Sequence, residues 1–173
     1  MQKMVVEDLG TLKALAHPLR LSAMGELRKN GPATASELGR ALGESSGSLS
    51  YHLRQLERYG FVADDVHRDG RERRWRAVHE ATQLPRGLAE TPEGRAALDV
   101  VKGVQQRELL EQLRAAQGEP TGPTSHSDYL LHLDVEDLDE LTAELDAVIV
   151  RYRERRGAHQ VAVHVVAAPT VKP

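Results

Sequence analysis

Cysteine is absent from the 173 residues, and the aromatic complement is one Trp, one Phe and four Tyr. Without cysteine there is no disulfide framework, no thiolate zinc or iron–sulfur site and no cysteine nucleophile. So few large rings make an aromatic ligand box improbable. Long apolar runs are missing too: none approaches the ~18 residues of a membrane span. The start, Met1–Lys3, leads into no signal-type apolar region. A cytoplasmic chain with no membrane partner is therefore expected. Neither sign of charge dominates, with 23 Lys and Arg against 26 Asp and Glu for a net −3. Hydrophobic residues at 40% and charged residues at 28% match an ordinary globular protein and argue against gross disorder. The length suits one good-sized domain, or a small domain with an appendage.

A net negative charge argues at first against a nucleic-acid partner, but the charge is unevenly spread. Residues 1–80 are net +2 and residues 81–173 net −5. Val66–Val78 holds five arginines (Arg68, Arg71, Arg73, Arg74, Arg76) against Asp69 and Glu72. Charge acts over about a Debye length of ~8–10 Å, so a basic patch on an acidic body still binds phosphate.

The first half reads as closely spaced short helices. Val5, Leu9, Leu12 and Ala16 fall on one helical stripe. Pro18 fits a first helical position, and Leu19, Ala23, Met24 and Leu27 continue a second helix that Asn30-Gly31-Pro32 stops. Thr34-Ala35-Ser36-Glu37 has the capping-box pattern and opens a short helix closed by Gly43. Ser45 or Ser46 then caps a helix whose inner stripe is Leu49, Leu53 and Leu56, running to about Tyr59, with Gly60 closing it. Phe61–His67 and Glu72–Val78 are strand-like around Asp69-Gly70, the preferred centre of a type I′ hairpin turn.

Ala81–Glu90 reads as a linker. Thr91-Pro92-Glu93 then starts a helix to about Gln117, with Ala97, Val100, Val101, Val104, Leu109, Leu110 and Leu113 in a broad apolar stripe. Residues 118–127, rich in glycine and proline, form a second linker. Beyond it, Tyr129–Leu133 and Gln160–Ala167 are strand-like and flank a helix capped by Asp134 and ended by Gly157, with Leu138, Leu141, Leu145, Val148 and Tyr152 on one face. The expected organisation is a domain over 1–80, a helix over 91–117 completing its core, and a β-α-β extension over 128–168. One helix and two strands bury too little to stand alone, so the extension needs the first domain or a partner chain.

Two short helices joined by a tight turn and followed by a hairpin with a basic tip make a winged helix-turn-helix. The fold class expected is thus mainly α with a β-hairpin wing, plus the small C-terminal extension. A helix ~10–12 Å across fits the major groove, its predecessor braces it, and the hairpin reaches phosphates or the adjacent minor groove. The outward face of the second of these helices offers Ser48, Tyr51, Arg54, Gln55 and Arg58, with Ser46 and Gly47 in its first turn.

Leu12-Lys13-Ala14-Leu15-Ala16-His17-Pro18-Leu19-Arg20-Leu21, Ala35–Gly43, Leu49-Ser50-Tyr51-His52-Leu53-Arg54-Gln55-Leu56 and Gly60-Phe61-Val62 together resemble the ArsR family of bacterial winged-helix transcriptional regulators. The resemblance covers about residues 8–115, and the tail is similar to the extension of actinobacterial members. It implies a homodimer held by the first helix and the Pro92–Gln117 helix, binding a near-palindromic DNA operator and usually repressing. It places DNA reading on Ser46, Ser48, Ser50, Tyr51, His52 and Arg54, and the wing on Arg68–Arg74. Two departures stand out. Glu44 occupies a turn position that is usually apolar. The family's thiolate metal sites, and its Asp/His sites on the last core helix, have no counterpart here.

Each of these residues also has a plainer reading. The arginines of the hairpin, Arg68, Arg71, Arg73 and Arg74, read as phosphate contacts against a merely solvated wing. Tyr51 points outward toward DNA, whereas for His52 packing and contact compete evenly, as capping and base contact do for Ser50. His126, His132, His159 and His164 lack ligand spacing, so no metal site is expected. The acids of Asp134–Asp146 suit a helix N-terminus plus a solvated face, and the run Arg151–Arg156 suits the cationic end of that helix. No catalytic residues and no cofactor are expected, because there is no nucleophile elbow, phosphate loop or acid/base pair. The function expected is a homodimeric, sequence-specific DNA-binding repressor that is not a thiolate metal sensor, with a small-molecule effector left open. The alternative is a winged-helix protein-interaction module without DNA binding.

Overall fold

Caps and glycines set the boundaries of the short helices in the first half of the chain. The computed structural model describes residues 3–65, 73–116, 125, 127–153, 155, 157–159 and 161–167. Strand β1 (Lys3–Val5) precedes helix α1 (Leu9–Leu15), whose N-cap Asp8 accepts from the Thr11 N–H at 2.9 Å and the Thr11 hydroxyl at 2.6 Å. Helix α2 (Pro18–Asn30) begins with its proline at N1, and Gly31 at φ 85° ends it. Strand β2 (Ala33–Thr34) leads into α3 (Ala35–Leu42), and α4 (Ser46–Arg58) follows the turn at Gly43. The capping box forms as the sequence predicts: Glu37 N–H donates to Thr34 Oγ1 at 3.1 Å, and Thr34 N–H to Glu37 Oε2 at 2.7 Å.

Strands β3 (Val62–Asp65) and β4 (Arg74–Ala77) pair antiparallel, Val62 opposite Ala77 and Asp65 opposite Arg74. Strand β2 joins the other edge of β4, giving the order β2-β4-β3. The turn expected at Asp69-Gly70 lies outside the described residues.

Two expectations need correcting here. Val5 is not on the first helical stripe: it ends β1, which pairs parallel with β5 (Ala81–Gln83), Val5 opposite Gln83. Asp8 starts the helix instead, and the fully buried Val6 donates its N–H to the Gln83 carbonyl at 3.0 Å. Ala81–Glu90 is therefore not simply a linker but contains β5 and a 3₁₀ turn, Arg86–Ala89. Arg28 holds this segment from α2, donating to the His79 carbonyl at 3.0 Å and to Thr82 Oγ1 at 2.8 Å. Three-residue strands paired across nearly eighty positions leave no periodicity to read.

Helix α5 (Pro92–Ala116) starts where Thr91 Oγ1 accepts from the Gly94 N–H at 3.0 Å. A Cβ on Gly94 would sit 1.8 Å from the Leu88 carbonyl oxygen, so only glycine lets the 3₁₀ turn lie against the helix start. Ala97, Leu98, Val101 and Val104 of α5 are buried, and all but Val104 join a core with Leu12, Met24, Leu49, Leu53, Leu56, Phe61, Val62 and Trp75. Each large apolar side chain enclosed this way contributes about 1.5–3 kcal/mol before the entropy of ordering it is counted.

The chain divides into two compact units, Met1–Glu108 and Leu109–Pro173. In the second, α6 (Val135–Arg153) begins with the Asp134 carbonyl accepting from the Leu138 N–H at 3.1 Å. The Asp137 carboxylate accepts from the Asp134 N–H at 3.2 Å, so it is the acid at the third helical position whose side chain caps. The expected β-α-β unit is corrected to a helix alone among the described residues: neither 127–134 nor 161–167 enters a ladder. A strand exists only by pairing, and among the described residues neither segment has a strand beside it. Most of the linker 118–127 lies outside the described residues.

Candidate nucleic-acid interface

The angle between α3 and α4 depends on one small residue. A Cβ on Gly39 would meet the Glu44 carbonyl oxygen at 2.6 Å, and the Glu44 N–H donates to the Gly39 carbonyl at 2.8 Å. Gly43 at φ 69° takes the left-handed conformation that closes α3. Glu44 itself is exposed, so the turn position that is usually apolar is here filled by backbone packing on Gly39. Ser45 then caps α4, accepting from the Ser48 N–H at 3.1 Å.

Leu49, Leu53 and Leu56 are fully buried, which fixes the rotation of α4. The opposite stripe, Gly47, Tyr51, Arg54 and Arg58, is exposed, with Tyr51 at 58% and Ser46 open in the first turn. Ser48, Ser50, His52 and Gln55 are half-buried along the flanks. The predicted outward set thus separates into an open stripe and a partly covered margin.

His52 belongs to a small cluster that sequence reasoning missed. Its ring packs against that of His17, tilted by 35° with centroids 4.4 Å apart, and Tyr51 meets it edge-on at 5.2 Å. His17 caps α2, its Nδ1 accepting from the Leu19 N–H at 3.2 Å, a bond that needs the neutral ring. Burial pulls the pKa of His17 below the ordinary value, and the charge of Arg20 adds to it. Burial likewise lowers that of His52, with His17 and Arg20 adding and Glu44 opposing. Arg20 donates through Nη2 to the Lys13 carbonyl at 3.0 Å, while its Nε and the His52 Nδ1 are buried without a hydrogen-bond partner. An open depression of about 420 Å³ runs past His17, Ser22, Glu44, Ser48 and His52. The His-Pro pair at the start of α2 was visible in the sequence, but its meeting with α4 is a tertiary fact.

The base of the wing is held by ion pairs. Arg73 bonds Asp64 at 2.8 Å and also Glu57, and its guanidinium lies 4.0 Å from the centre of the Trp75 ring. Arg74 meets Glu37 at 3.2 Å and donates to the Pro32 carbonyl. These two arginines tie β4 to α4 and to the start of α3. Such exposed pairs are worth at most about 1 kcal/mol each, but they set direction. Arg76 is exposed on the other face of β4 from the buried Trp75. Arg68 and Arg71 lie outside the described residues. Glu37, Glu57 and Asp64 went unremarked as arginine partners because their mates lie 9 to 37 positions away.

Among the described residues, no three of His, Asp and Glu come together as a metal site would require. In the tail, His164 Nε2 lies 2.6 Å from Gln112 Oε1. Again among the described residues, no helix is long and apolar enough to cross a membrane.

Residues 15–64 match the helix-turn-helix domain family. Over 55 residues the chain is 43% identical to the HTH-type transcriptional regulator NmtR of Mycobacterium tuberculosis, a stretch that spans 32% of this chain and 45% of that relative. The chain therefore matches less than half the length of this curated relative. Among solved structures it is similar to an ArsR family transcriptional regulator at 29% identity, covering 59% of this chain and 88% of that one, with a TM-score of 0.34. It is also similar to the adhesin competence repressor AdcR of Streptococcus pyogenes at 15% identity, covering 80% and 82%, with a TM-score of 0.35.

Proposed function

We propose that this chain is a winged helix-turn-helix regulator of the ArsR-family kind, and within it a homodimeric, sequence-specific DNA-binding repressor of transcription. The helix-turn-helix match over residues 15–64 and the 43% identity to an HTH-type transcriptional regulator over 55 residues support the reading. The observation that carries the reading is the exposed stripe Gly47, Tyr51, Arg54 and Arg58 on α4, set opposite three fully buried leucines. A helix so held presents a fixed face to the major groove, and in a dimer two such helices enter grooves about 34–36 Å apart. Arg54 and Arg58, with Arg68 and Arg71 of the wing, supply salt-dependent phosphate contact. Ser46, Ser48 and Tyr51 supply base or shape discrimination. Ser50, His52 and Gln55, half-buried as Ser48 is, line the margin of that face. Arg73 and Arg74 hold the wing at its angle through Glu57, Asp64 and Glu37. In this reading it is not a thiolate metal sensor, since its 173 residues include no cysteine, and whether it answers to a small-molecule effector stays open.

Fluorescence anisotropy on DNA from the promoter of its own gene tests this. Specific binding at moderate salt is expected, weakening steeply as salt rises. Absence of any specific binding there would leave the winged helix as a protein-interaction module instead.

A further inference from the structure

Among the described residues of Leu109–Pro173 none is buried. Tyr129 is 83% exposed, Val163 64% and Val166 76%. The segment 161–167 is β-branched at Val161, Val163, Val165 and Val166, yet it enters no ladder among the described residues, and a run of that composition is a template for another strand. His164 ties it to Gln112 of α5, where Leu110 and Leu113 are exposed as well. Exposed apolar side chains of this unit thus lie both on the segment and on α5.

The charge order of α6 says what covers it. Glu136, Asp137, Asp139, Glu140, Glu144 and Asp146 all fall in the first twelve residues of the helix, and no base precedes Arg151. A helix dipole favours acids only within the first turn, whereas these run through the third. Laid antiparallel across itself, the helix sets its acidic half against the basic end of its mate. That is the self-complementarity of a two-fold interface. We propose that Leu109–Pro173 is completed by a second copy of this chain, with the 161–167 segments pairing antiparallel about a two-fold axis and the α6 helices crossing antiparallel beside them. This interface goes beyond the dimer read from the winged helix and does not depend on DNA binding.

The absence of cysteine makes the test direct. In the full chain, Val163→Cys treated with a short bismaleimide becomes mostly covalent dimer, and tenfold dilution leaves the yield unchanged. Arg40→Cys, exposed on α3, stays monomeric under the same treatment. Val165→Cys behaves as Val163→Cys does. Glu140→Lys combined with Glu144→Lys in the Val163→Cys background lowers the yield several-fold. An unchanged yield there overturns the helix crossing. If sedimentation finds a dimer but neither cysteine cross-links, the tail pairing is overturned and the winged-helix dimer stands. A monomer by sedimentation overturns both.

Discussion

Leucines at helical spacing occur in both units of this chain, and they meet opposite fates. On α4, Leu49, Leu53 and Leu56 are fully buried; on α6, Leu138 and Leu141 are half-covered, and Leu145 and Val148 are 36% and 38% exposed. The periodicity is equally clear in each. What differs is the number of faces that converge. In the first unit α1, α2, α3, α5 and the β2-β4-β3 sheet close around α4 and Phe61, whereas among the described residues α6 is the one helix that lies wholly in the second. A hydrophobic stripe specifies which side of a helix must be covered, and says nothing of what covers it.

The largest test of this contrast is a matched pair of truncations. Leu53→Ala is expected to cost about 2–5 kcal/mol, because neighbours on every side prevent the site from collapsing. Leu145→Ala, measured on dilute protein, is expected to stay within about 0.5 kcal/mol. Urea unfolding followed by helical circular dichroism reads both. Equal losses would mean that the tail has a core of its own.

The contrast also explains what was legible in the sequence. Helix starts and stops are local chemistry, so the Thr34–Glu37 capping box, Pro18 at N1 and glycines 31, 43 and 60 were readable from neighbouring residues. So was the open stripe of α4, since it is fixed by the leucines opposite. The β1–β5 pair was not legible, and Val5 was drawn into a helix, because the partner of a three-residue strand lies far along the chain. Likewise the arginines of the wing were counted correctly as charge, but their division between Arg73 and Arg74 in ion pairs and Arg76 on an exposed face needs the strand register. The tail's strands were read from alternation alone, and alternation does not supply a ladder.

Glycines sharpen the comparison at the next scale. Gly39→Ala drives a methyl into the Glu44 carbonyl, and backbone there gives way only by moving α4. A loss of about 1–3 kcal/mol is expected, as for other overpacked sites, together with weaker specific DNA binding in anisotropy. Gly157→Ala meets nothing within 4 Å and is expected to leave both measurements unchanged. Wild-type affinity in Gly39→Ala would show that the interhelical turn tolerates a shift.

Arginines divide the winged helix within itself. Arg54→Ala removes an exposed cation from the α4 stripe and is expected to reduce the slope of log affinity against log salt by about 0.9 for each phosphate no longer neutralised. Arg73→Ala breaks the pairs with Glu57 and Asp64, so it is expected to leave that slope intact while lowering stability by at most about 2 kcal/mol, about 1 for each exposed pair. A flattened slope in Arg73→Ala would return that residue to the DNA-contacting set.

The smallest expected effect is a mild acid sensitivity confined to the winged helix. Burial holds both His17 and His52 below the ordinary histidine pKa. The unfolded chain therefore takes up protons first as pH falls through about 6.5, and stability declines from there until the lowered folded-state values are passed. The carboxylates of Glu37 and Asp8 are pulled down instead, Glu37 chiefly by the Thr34 N–H and Asp8 chiefly by the Thr11 hydroxyl. Their loss begins only below about pH 4.5, clear of the histidine window. The melting temperature should thus fall between about pH 7.5 and 5.5. His17→Asn keeps a side-chain acceptor for the Leu19 N–H without a titrating ring, so its profile should be flatter at nearly unchanged stability near neutrality. An equally steep profile in both His17→Asn and His52→Gln would place the sensitivity outside the ring pair, and would break the claim that this junction of α2 and α4 prefers its histidines uncharged.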